Sequence, residues 1–321
     1  MPISLTPIRP GFGAEVTGVD ISQPLSGADA ASIVQAMDDY AVLVFRNSGL
    51  DDESHVRFSE IFGYVERYPT SMQKVLKGEN ASEESAPAQY GACINGITNM
   101  TADGRISDDP ERRILFAADR YWHTDSSFIE QRAGYSALLA HVVPPEGGLT
   151  WFADLRAAWD DLPAAMKSRI EGLEAEHCMW WSRILGGYAM TEEIAMRMPA
   201  AVHPIVHTLR SGRTSLYLAS HARAIVGMDP QEGRALLAEL TAFATQEKYI
   251  FSVSWEPGDL VAWSNLATLH RGGGFDEMKH KRNMRRTTIR AGAAPDHDDQ
   301  PHLEMYRQSL EIMGRSAEVV N

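Results

Sequence analysis

The sequence has little cysteine, no long hydrophobic run and fewer basic than acidic residues. Among its 321 residues are only two cysteines, Cys93 and Cys178. So few thiols are typical of a reducing compartment, and two of them cannot build a thiolate metal site. The longest apolar runs, such as residues 40–45, are too short to span a bilayer, and the N-terminus lacks a signal-peptide pattern. We therefore expect a cytoplasmic protein without a membrane segment.

The charge balance is acidic. The chain has 30 Lys and Arg residues against 43 Asp and Glu residues, a formal net charge of −13 with neutral histidines. Nucleic-acid-binding proteins carry a basic surface, so this balance argues against a nucleic-acid partner. Hydrophobic residues make up 44% and charged residues 23%, which excludes a disordered, collagen-like or coiled-coil chain. No linker or repeat divides the sequence, and we expect one domain over residues 1–321.

The hydrophobic pattern predicts a mostly β protein with flanking helices. Apolar spacing predicts helices over residues 26–39 and 51–62, a helix that starts near Pro163, and a helix over 230–245 that Asp229 caps. The predicted strands are 41–45, 114–116, 135–143, 149–152, 201–207, 215–219, 249–255, 260–263 and 284–290. Many short strands with few helices favour a sandwich or a jelly roll.

Two segments depart from this pattern. Residues 70–113 are polar and rich in turn residues, and a long irregular segment inside a compact domain is usually a lid, a binding loop or disorder. We expect an active-site lid or insertion there, with a plain surface loop as the equal alternative. From about residue 295 the chain is a polar tail that ends in a short predicted helix.

The motif with the most specific chemistry is His123-Thr124-Asp125. Residues two apart on a strand share a face, so the imidazole and the carboxylate would point into one cavity. These two groups are two thirds of the 2-His-1-carboxylate triad, which binds non-haem Fe(II) and leaves coordination positions open. A single His-x-Asp sequence also occurs by chance, so this motif needs further support.

His270, Arg282 and Arg286 supply that support. On a strand, residues 282 and 286 face the same side, so both guanidinium groups would point into one pocket and pair with carboxylates there. Without His270 upstream, residues 279–286 would be interpreted as a basic surface run. Thr150 follows two glycines and offers a hydroxyl donor to a bound carboxylate.

Together these residues resemble the Fe(II)/2-oxoglutarate-dependent dioxygenases of the taurine dioxygenase family. The resemblance covers about residues 7 to 292 and is nearest to the 2,4-dichlorophenoxyacetate (aryloxyalkanoate) dioxygenase branch. It rests on these further motifs: Trp122-His123-Thr124-Asp125-Ser126-Ser127-Phe128, Val143-Pro144-Pro145-Glu146-Gly147-Gly148, Asp154-Leu155-Arg156-Ala157-Ala158-Trp159 and His270-Arg271-Gly272. The fold that it implies is the double-stranded β-helix, or jelly roll.

The resemblance implies a role for each candidate residue. The metal ligands and catalytic residues would be His123, Asp125 and His270. Thr150 and Arg282 would hold the distal carboxylate of 2-oxoglutarate, with Trp263 beside it. Substrate contacts would come from four residues: Arg286, Asp119, Tyr68 and Lys74. Fe(II) would be the cofactor, and 2-oxoglutarate and O2 the co-substrates.

The resemblance also implies the reaction. Such an enzyme hydroxylates a C–H bond of a small organic anion, here an aromatic or aryloxyalkanoate-type carboxylate, and releases succinate and CO2. If the carbon bears an ether oxygen, the resulting hemiacetal falls apart. The only partner that follows is this small anionic substrate; homo-oligomers are common among soluble enzymes, and the sequence permits one.

Departures from the family pattern leave alternatives open. The usual Trp-Asp-Asn-Arg sequence reads Trp263-Ser264-Asn265-Leu266 here, and Asp119 stands where relatives often have Asn. A taurine- or alkylsulfate-type sulfonate oxygenase and a natural-product tailoring hydroxylase or desaturase therefore remain open. So do two functions of other classes, a non-catalytic metal-binding jelly-roll module and a hydrolytic enzyme with metal-bound water.

Overall fold

The structure is a computed structural model that describes residues 3–67, 92–292 and 301–314. Its strands are β1 (Ser4–Arg9), β2 (Phe12–Thr17), β3 (Val42–Phe45), β4 (Asn95–Thr98), β5 (Ala133–Val142), β6 (Thr150–Asp154), β7 (Glu174–His177), β8 (Ala201–Pro204), β9 (Val206–Thr208), β10 (Thr214–Leu216), β11 (Ala222–Ile225), β12 (Ile250–Val253), β13 (Leu260–Ser264), β14 (Thr268–Gly272) and β15 (Asn283–Arg290). Its helices are α1 (Gly27–Tyr40), α2 (Asp52–Ser59), α3 (Pro110–Ala117), α4 (Leu155–Asp161), α5 (Ala164–Ile170), α6 (Met179–Leu185), α7 (Glu192–Arg197), α8 (Pro230–Ala244) and α9 (Pro301–Ile312).

Two sheets form the centre of the fold. A seven-stranded sheet has the order β1-β2-β3-β13-β5-β15-β4, and a three-stranded sheet has the order β12-β6-β14. Apolar side chains from both sheets share one core, which includes Phe152 on β6, Trp263 on β13 and Met284 on β15. Helices α1 and α2 contribute to the other face of the large sheet, through Ile33, Met37 and Phe58 among others. The mostly β architecture with flanking helices is confirmed.

Helix caps explain where several predicted helices begin. The Ser26 side chain accepts a hydrogen bond from the Asp29 backbone at the start of α1. Asp51 and Ser54 form a capping box at the start of α2. Asp229 caps α8, whose first residue is proline, and these contacts satisfy backbone N–H groups that have no partner inside the helix.

The structure corrects three sequence predictions. Residues 114–116, predicted as a strand, lie inside helix α3, because a three-residue apolar run fits a buried helix face as well as a strand. His270 comes after β13 and lies within a further strand, β14, which the sequence pattern did not predict. The segment 70–113 is not irregular throughout, since β4 joins the edge of the large sheet by pairing with β15. Residues 68–91 lie outside the described part of the chain.

The short helix predicted in the C-terminal tail is present as α9. It packs onto the protein rather than extending into solvent, because His302 and Met305 are buried. The imidazole Nε2 of His302 lies 3.1 Å from the carboxylate of Glu66, which is also buried.

Candidate active site

His123, Asp125 and His270 come together as predicted. One ligand atom from each lies within 4.8 Å of the others, and all three residues are buried. His123 forms an isolated antiparallel bridge with His270 on β14. Asp125 does not continue a strand, as the sequence argument assumed, because it lies in a turn in which Ser126 has a φ of 47°. The turn still directs the carboxylate to His270, with 3.7 Å between Asp125 Oδ2 and His270 Nε2.

Each histidine has a ring nitrogen available to this cluster. His123 Nδ1 lies 2.8 Å from the carbonyl of Tyr121, and a carbonyl only accepts, so Nδ1 is the donor and Nε2 is the nitrogen left for a metal. Burial, followed by the nearby His123 and Arg286, lowers the pKa of His270 well below its ordinary value. Two imidazoles and one carboxylate fit a divalent metal with open coordination positions. Among the described residues, this is the one such group of His, Cys, Asp or Glu side chains.

Each oxygen of the Asp125 carboxylate has a protein partner. The hydroxyl of Ser136 donates to Oδ2 at 2.7 Å. The guanidinium of Arg286 donates to Oδ1 through Nη1. Arg286 is two residues from Met284 on β15, and Met284 lies in the core between the sheets, so the strand turns Arg286 toward the triad. The prediction that Arg282 and Arg286 point into one pocket is not confirmed, because Arg286 is not among the described residues that line the cavity of Arg282. The structure therefore places this guanidinium on the carboxylate of Asp125, the predicted metal ligand.

Arg282 lies just before β15 and lines a cavity together with Asp119, Thr98, Gly272, Gly273 and Phe275. Burial lowers the pKa of its guanidinium to about 10, while Asp119 and Glu277 act in the opposite direction. The group therefore stays charged at neutral pH. Within the described chain, no side chain hydrogen-bonds this guanidinium, so the fold leaves a buried positive charge facing the cavity. A carboxylate ligand would satisfy it.

Thr150 begins strand β6 and lies opposite Gly272 of β14. Its Oγ1 accepts a hydrogen bond from the indole N–H of Trp255 at 3.0 Å. An indole N–H only donates, so the hydroxyl hydrogen of Thr150 is left for another acceptor. Trp263 is buried nearby, with its ring centroid 4.8 Å from that of His270.

Two glycines bring the start of β6 close to Arg282. Gly147 has a φ of 75°, and a Cβ there would lie 2.4 Å from the carbonyl oxygen of Gly274. Gly148 has a φ of 66°, and a Cβ there would lie 2.8 Å from Pro144 Cγ and 3.8 Å from Arg282 Nε. Both positions require glycine because of their left-handed backbone and close neighbours. The predicted pair of Thr150 and Arg282 thus lies in one region, although the two side chains make no direct hydrogen bond.

The predicted substrate contacts have different outcomes. Asp119 lines the same cavity as Arg282, and its carboxylate pairs with Arg183 at 3.3 Å. Tyr68 and Lys74 lie outside the described residues.

Sequence reasoning missed three residues next to the triad: His221, Ser136 and Asn265. The ring centroid of His221 is 6.0 Å from that of His123, and its Nδ1 is 3.0 Å from the hydroxyl of Ser127. Burial, followed by the nearby His123, lowers the pKa of His221 well below its ordinary value, so its ring is neutral. His221 and Ser136 are far from the triad in sequence, so no short spacing links them to it. Asn265 was noted only as a neighbour of Trp263 in the sequence.

Comparison with known proteins establishes the family to which this chain belongs. The profile described as "Taurine catabolism dioxygenase TauD, TfdA family" matches residues 4–288. The chain belongs to this family. The "Alpha-ketoglutarate-dependent 2,4-dichlorophenoxyacetate dioxygenase" of Burkholderia sp. (strain RASC) is 38% identical over 293 residues, which cover 90% of this chain and 95% of that protein. The "(S)-phenoxypropionate/alpha-ketoglutarate-dioxygenase" of Sphingobium herbicidovorans is 32% identical over 308 residues, covering 91% and 96%.

A solved structure agrees with this assignment. The crystal structure of AAD-2 in complex with Mn(II) and N-oxalylglycine superposes with a TM-score of 0.78 at 34% identity, covering 92% of this chain and 99% of that one. The predicted resemblance is thus confirmed, and the protein is an oxidoreductase, a dioxygenase that uses Fe(II), 2-oxoglutarate and O2. None of the helices in the described chain has the length and apolar character needed to cross a membrane.

Proposed function

We propose that this dioxygenase hydroxylates a C–H bond of an aromatic or aryloxyalkanoate-type carboxylate. The observation that carries the proposal is the placement of two arginines: Arg286 at the triad, and Arg282 in the cavity that is also lined by Gly272, two residues after His270. Arg286 contacts Asp125 directly, and Arg282 faces a cavity with a buried charge. Two guanidinium groups suit two carboxylate-bearing molecules, the co-substrate and the substrate. Relatives named for 2,4-dichlorophenoxyacetate and phenoxypropionate support this substrate class.

The residues divide into a metal-binding group and a co-substrate-binding group. His123, Asp125 and His270 would hold Fe(II), which supplies the activation of O2 once 2-oxoglutarate is bound. Arg282 would fix the distal carboxylate of 2-oxoglutarate by paired hydrogen bonds, and the free hydroxyl hydrogen of Thr150 would add a third. Trp263 would limit the movement of the co-substrate and exclude water beside His270.

Arg286 would bind the carboxylate of the substrate and so orient the C–H bond next to it. Asp119, Tyr68 and Lys74 would be the further substrate contacts. The reaction balances as substrate C–H, 2-oxoglutarate and O2 giving the C–OH product, succinate and CO2. In an aryloxyalkanoate the hydroxylated carbon also bears the ether oxygen. That hemiacetal breaks its C–O bond, the hydroxyl proton goes to the phenol oxygen, and a carbonyl product remains.

We also propose that the seven-stranded and three-stranded sheets together form the double-stranded β-helix of a single domain. The apolar core that they share, with Phe152, Trp263 and Met284 inside it, supports this fold. The triad lies at the edge of this core, because Phe152 and Trp263 both pack against the ring of His270.

The test is a turnover assay with Fe(II), 2-oxoglutarate and O2 on a panel of acids. The panel pairs 2,4-dichlorophenoxyacetate and phenoxypropionate with taurine and an alkyl sulfate, and both succinate and released phenol are measured. We expect succinate and phenol in equal amounts from an aryloxyalkanoate. Succinate only with the sulfur-containing acids would instead favour a sulfonate or sulfate-ester oxygenase. Product formed under argon without 2-oxoglutarate would indicate hydrolysis, and metal binding without any turnover would indicate a binding module.

A further inference from the structure

We propose that Ser136 and Asn265 are positioning residues that orient the carboxylate of Asp125 for metal binding. This inference rests on the proposed function only through the role of Asp125 as a metal ligand. Ser136 lies on β5, and Asn265 lies between β13 and β14. Ser136 donates to Asp125 Oδ2 at 2.7 Å, and Asn265 Nδ2 donates to Ser136 Oγ at 2.9 Å. Both residues are fully buried, so water does not compete for these bonds.

The chemistry of the partners fixes the direction of this chain of hydrogen bonds. Asn265 Oδ1 accepts from the indole N–H of Trp263 at 3.0 Å and from the backbone N–H of Asp125 at 3.1 Å. Both partners only donate, so this end of the amide is the oxygen, and its NH2 faces Ser136. The Ser136 oxygen then has to accept from the amide, which leaves its single hydrogen for the carboxylate of Asp125.

Asn265 therefore holds Asp125 at two points. Its Oδ1 binds the backbone N–H of Asp125, and its Nδ2 orients the serine that holds the carboxylate. Asn265 is itself held by its backbone, because its N–H donates to Gly134 O at 2.9 Å and its carbonyl accepts from the Thr124 hydroxyl at 2.6 Å. One residue thus fixes the turn that carries Asp125 and the rotamer of its side chain.

This arrangement has a direct consequence for the metal site. Because Ser136 donates to Oδ2, rotation of the Asp125 carboxylate about its Cβ–Cγ bond is restricted before a metal binds. Removal of the hydroxyl lets the carboxylate rotate toward Arg286, which already contacts Oδ1. Loss of such an outer partner typically costs ~10–100-fold in metal affinity. Ser136 and Asn265 would therefore act through the orientation of Asp125 and not by touching the substrate.

The test is a titration of the metal-free protein with Mn(II), followed by the electron paramagnetic resonance signal of the free ion. We expect Ser136→Ala and Asn265→Ala each to weaken Mn(II) binding by ~10–100-fold. The matched control is Ser309→Ala, because Ser309 is equally buried but donates to Met305 O within helix α9. Its Mn(II) affinity should equal that of the wild type. Thermal unfolding of each metal-free variant separates a loss of orientation from a loss of fold.

A double variant tests whether Asn265 affects the carboxylate of Asp125 through Ser136. If Asn265 acts on the carboxylate through Ser136, then adding Ser136→Ala to Asn265→Ala should weaken binding little further. Equal affinity of Ser136→Ala and wild type, or losses that multiply in the double variant, would overturn the proposal. A wild-type protein that does not bind Mn(II) would instead overturn the metal site, and with it the proposed function.

Discussion

His123 and His270 are joined by two reciprocal backbone hydrogen bonds, at 2.9 Å from His123 N to His270 O and 2.8 Å in the other direction. Their ring centroids are 4.2 Å apart. The spacing of the two imidazoles is therefore set by the main chain and not by contacts between the rings. A side-chain substitution at either histidine leaves this link in place, so loss of activity in such variants reports on the metal site.

Arg282→Gln tests the co-substrate site. Glutamine keeps hydrogen-bond donors but removes the charge, and a hydrogen bond to a charged group contributes about 1.5–3 kcal/mol, which corresponds to an increase of roughly 10- to 150-fold in KM for 2-oxoglutarate. Arg113→Gln is the control, because Arg113 lines the same cavity but contacts Met278. Steady-state kinetics with varied 2-oxoglutarate measure the effect. Equal increases in KM for 2-oxoglutarate in both variants would mean that the total positive charge of the cavity, and not Arg282 in particular, binds the co-substrate.

Arg286→Gln tests the substrate site. We expect KM for the organic acid to rise by roughly 10-fold or more, for the same reason of a lost charge-assisted pair, and KM for 2-oxoglutarate to change little. Arg285→Gln is a matched control, since Arg285 is the next residue on β15 but points to the other face, where it contacts Asp52. The assays use saturating Fe(II), so that weaker metal binding after loss of the contact between Arg286 and Asp125 does not lower the occupancy of the site. An increase in KM for 2-oxoglutarate alone would reassign Arg286 to the co-substrate.

The candidate site could be predicted from sequence where its residues keep a short spacing. His123 and Asp125 are two apart, and Arg282 and Arg286 are four apart near one strand. The strand that carries His270 could not be predicted, because Thr268–Gly272 has five residues, a glycine and no alternation. Its pairing with β6 is a long-range contact that local pattern does not encode.

The surroundings of the metal ligands were not predictable for the same physical reason. Ser136 approaches Asp125 because β5 pairs with β13, which places Ser136 opposite Trp263. Asn265 approaches both because the chain turns directly after β13. Neither residue type suggests a site by itself, since buried serine and asparagine are most often structural.

Arg156 is predicted to be important for stability. It is fully buried, and its guanidinium donates to both carboxylate oxygens of Asp154 and to the carbonyls of Asp38, Asp39 and Gly11. Arg156→Met leaves the buried carboxylate of Asp154 without its positively charged partner, so we expect a loss of ~3–5 kcal/mol in the free energy of unfolding.

Urea denaturation measures this loss. The control is Arg169→Met, whose exposed pair with Glu239 should contribute less than ~1 kcal/mol. A free energy of unfolding for Arg156→Met as close to wild type as that of the control would contradict the prediction.

His177 is predicted to make the protein less stable in acid. Burial, followed by the nearby His203 and Arg132, lowers the pKa of His177 to about 3, and neither ring nitrogen has a hydrogen-bond partner among the described residues. The unfolded chain takes up this proton near pH 6.5, and the folded chain does not until about pH 3. The free energy of unfolding therefore falls as the pH drops through this window, by up to about 1.4 kcal/mol per pH unit.

His177→Phe removes this contribution. We expect the variant to lose less stability than the wild type between pH 7 and pH 4.5. Part of the pH dependence should remain in the variant, because other buried histidines contribute to it, such as His55 with its pKa of about 4. Thermal unfolding at a series of pH values measures the difference. Parallel curves for the two proteins would contradict the prediction.

The most direct test of the metal and co-substrate sites is an anaerobic titration with Fe(II) followed by 2-oxoglutarate. Chelation of Fe(II) by the co-substrate gives a visible charge-transfer band, which needs both the triad and the co-substrate site. The account predicts this band in the wild type and its absence in His270→Ala, with the circular dichroism of the variant unchanged. A band that persists in His270→Ala, or a wild type that binds Fe(II) without forming the band, would contradict the account.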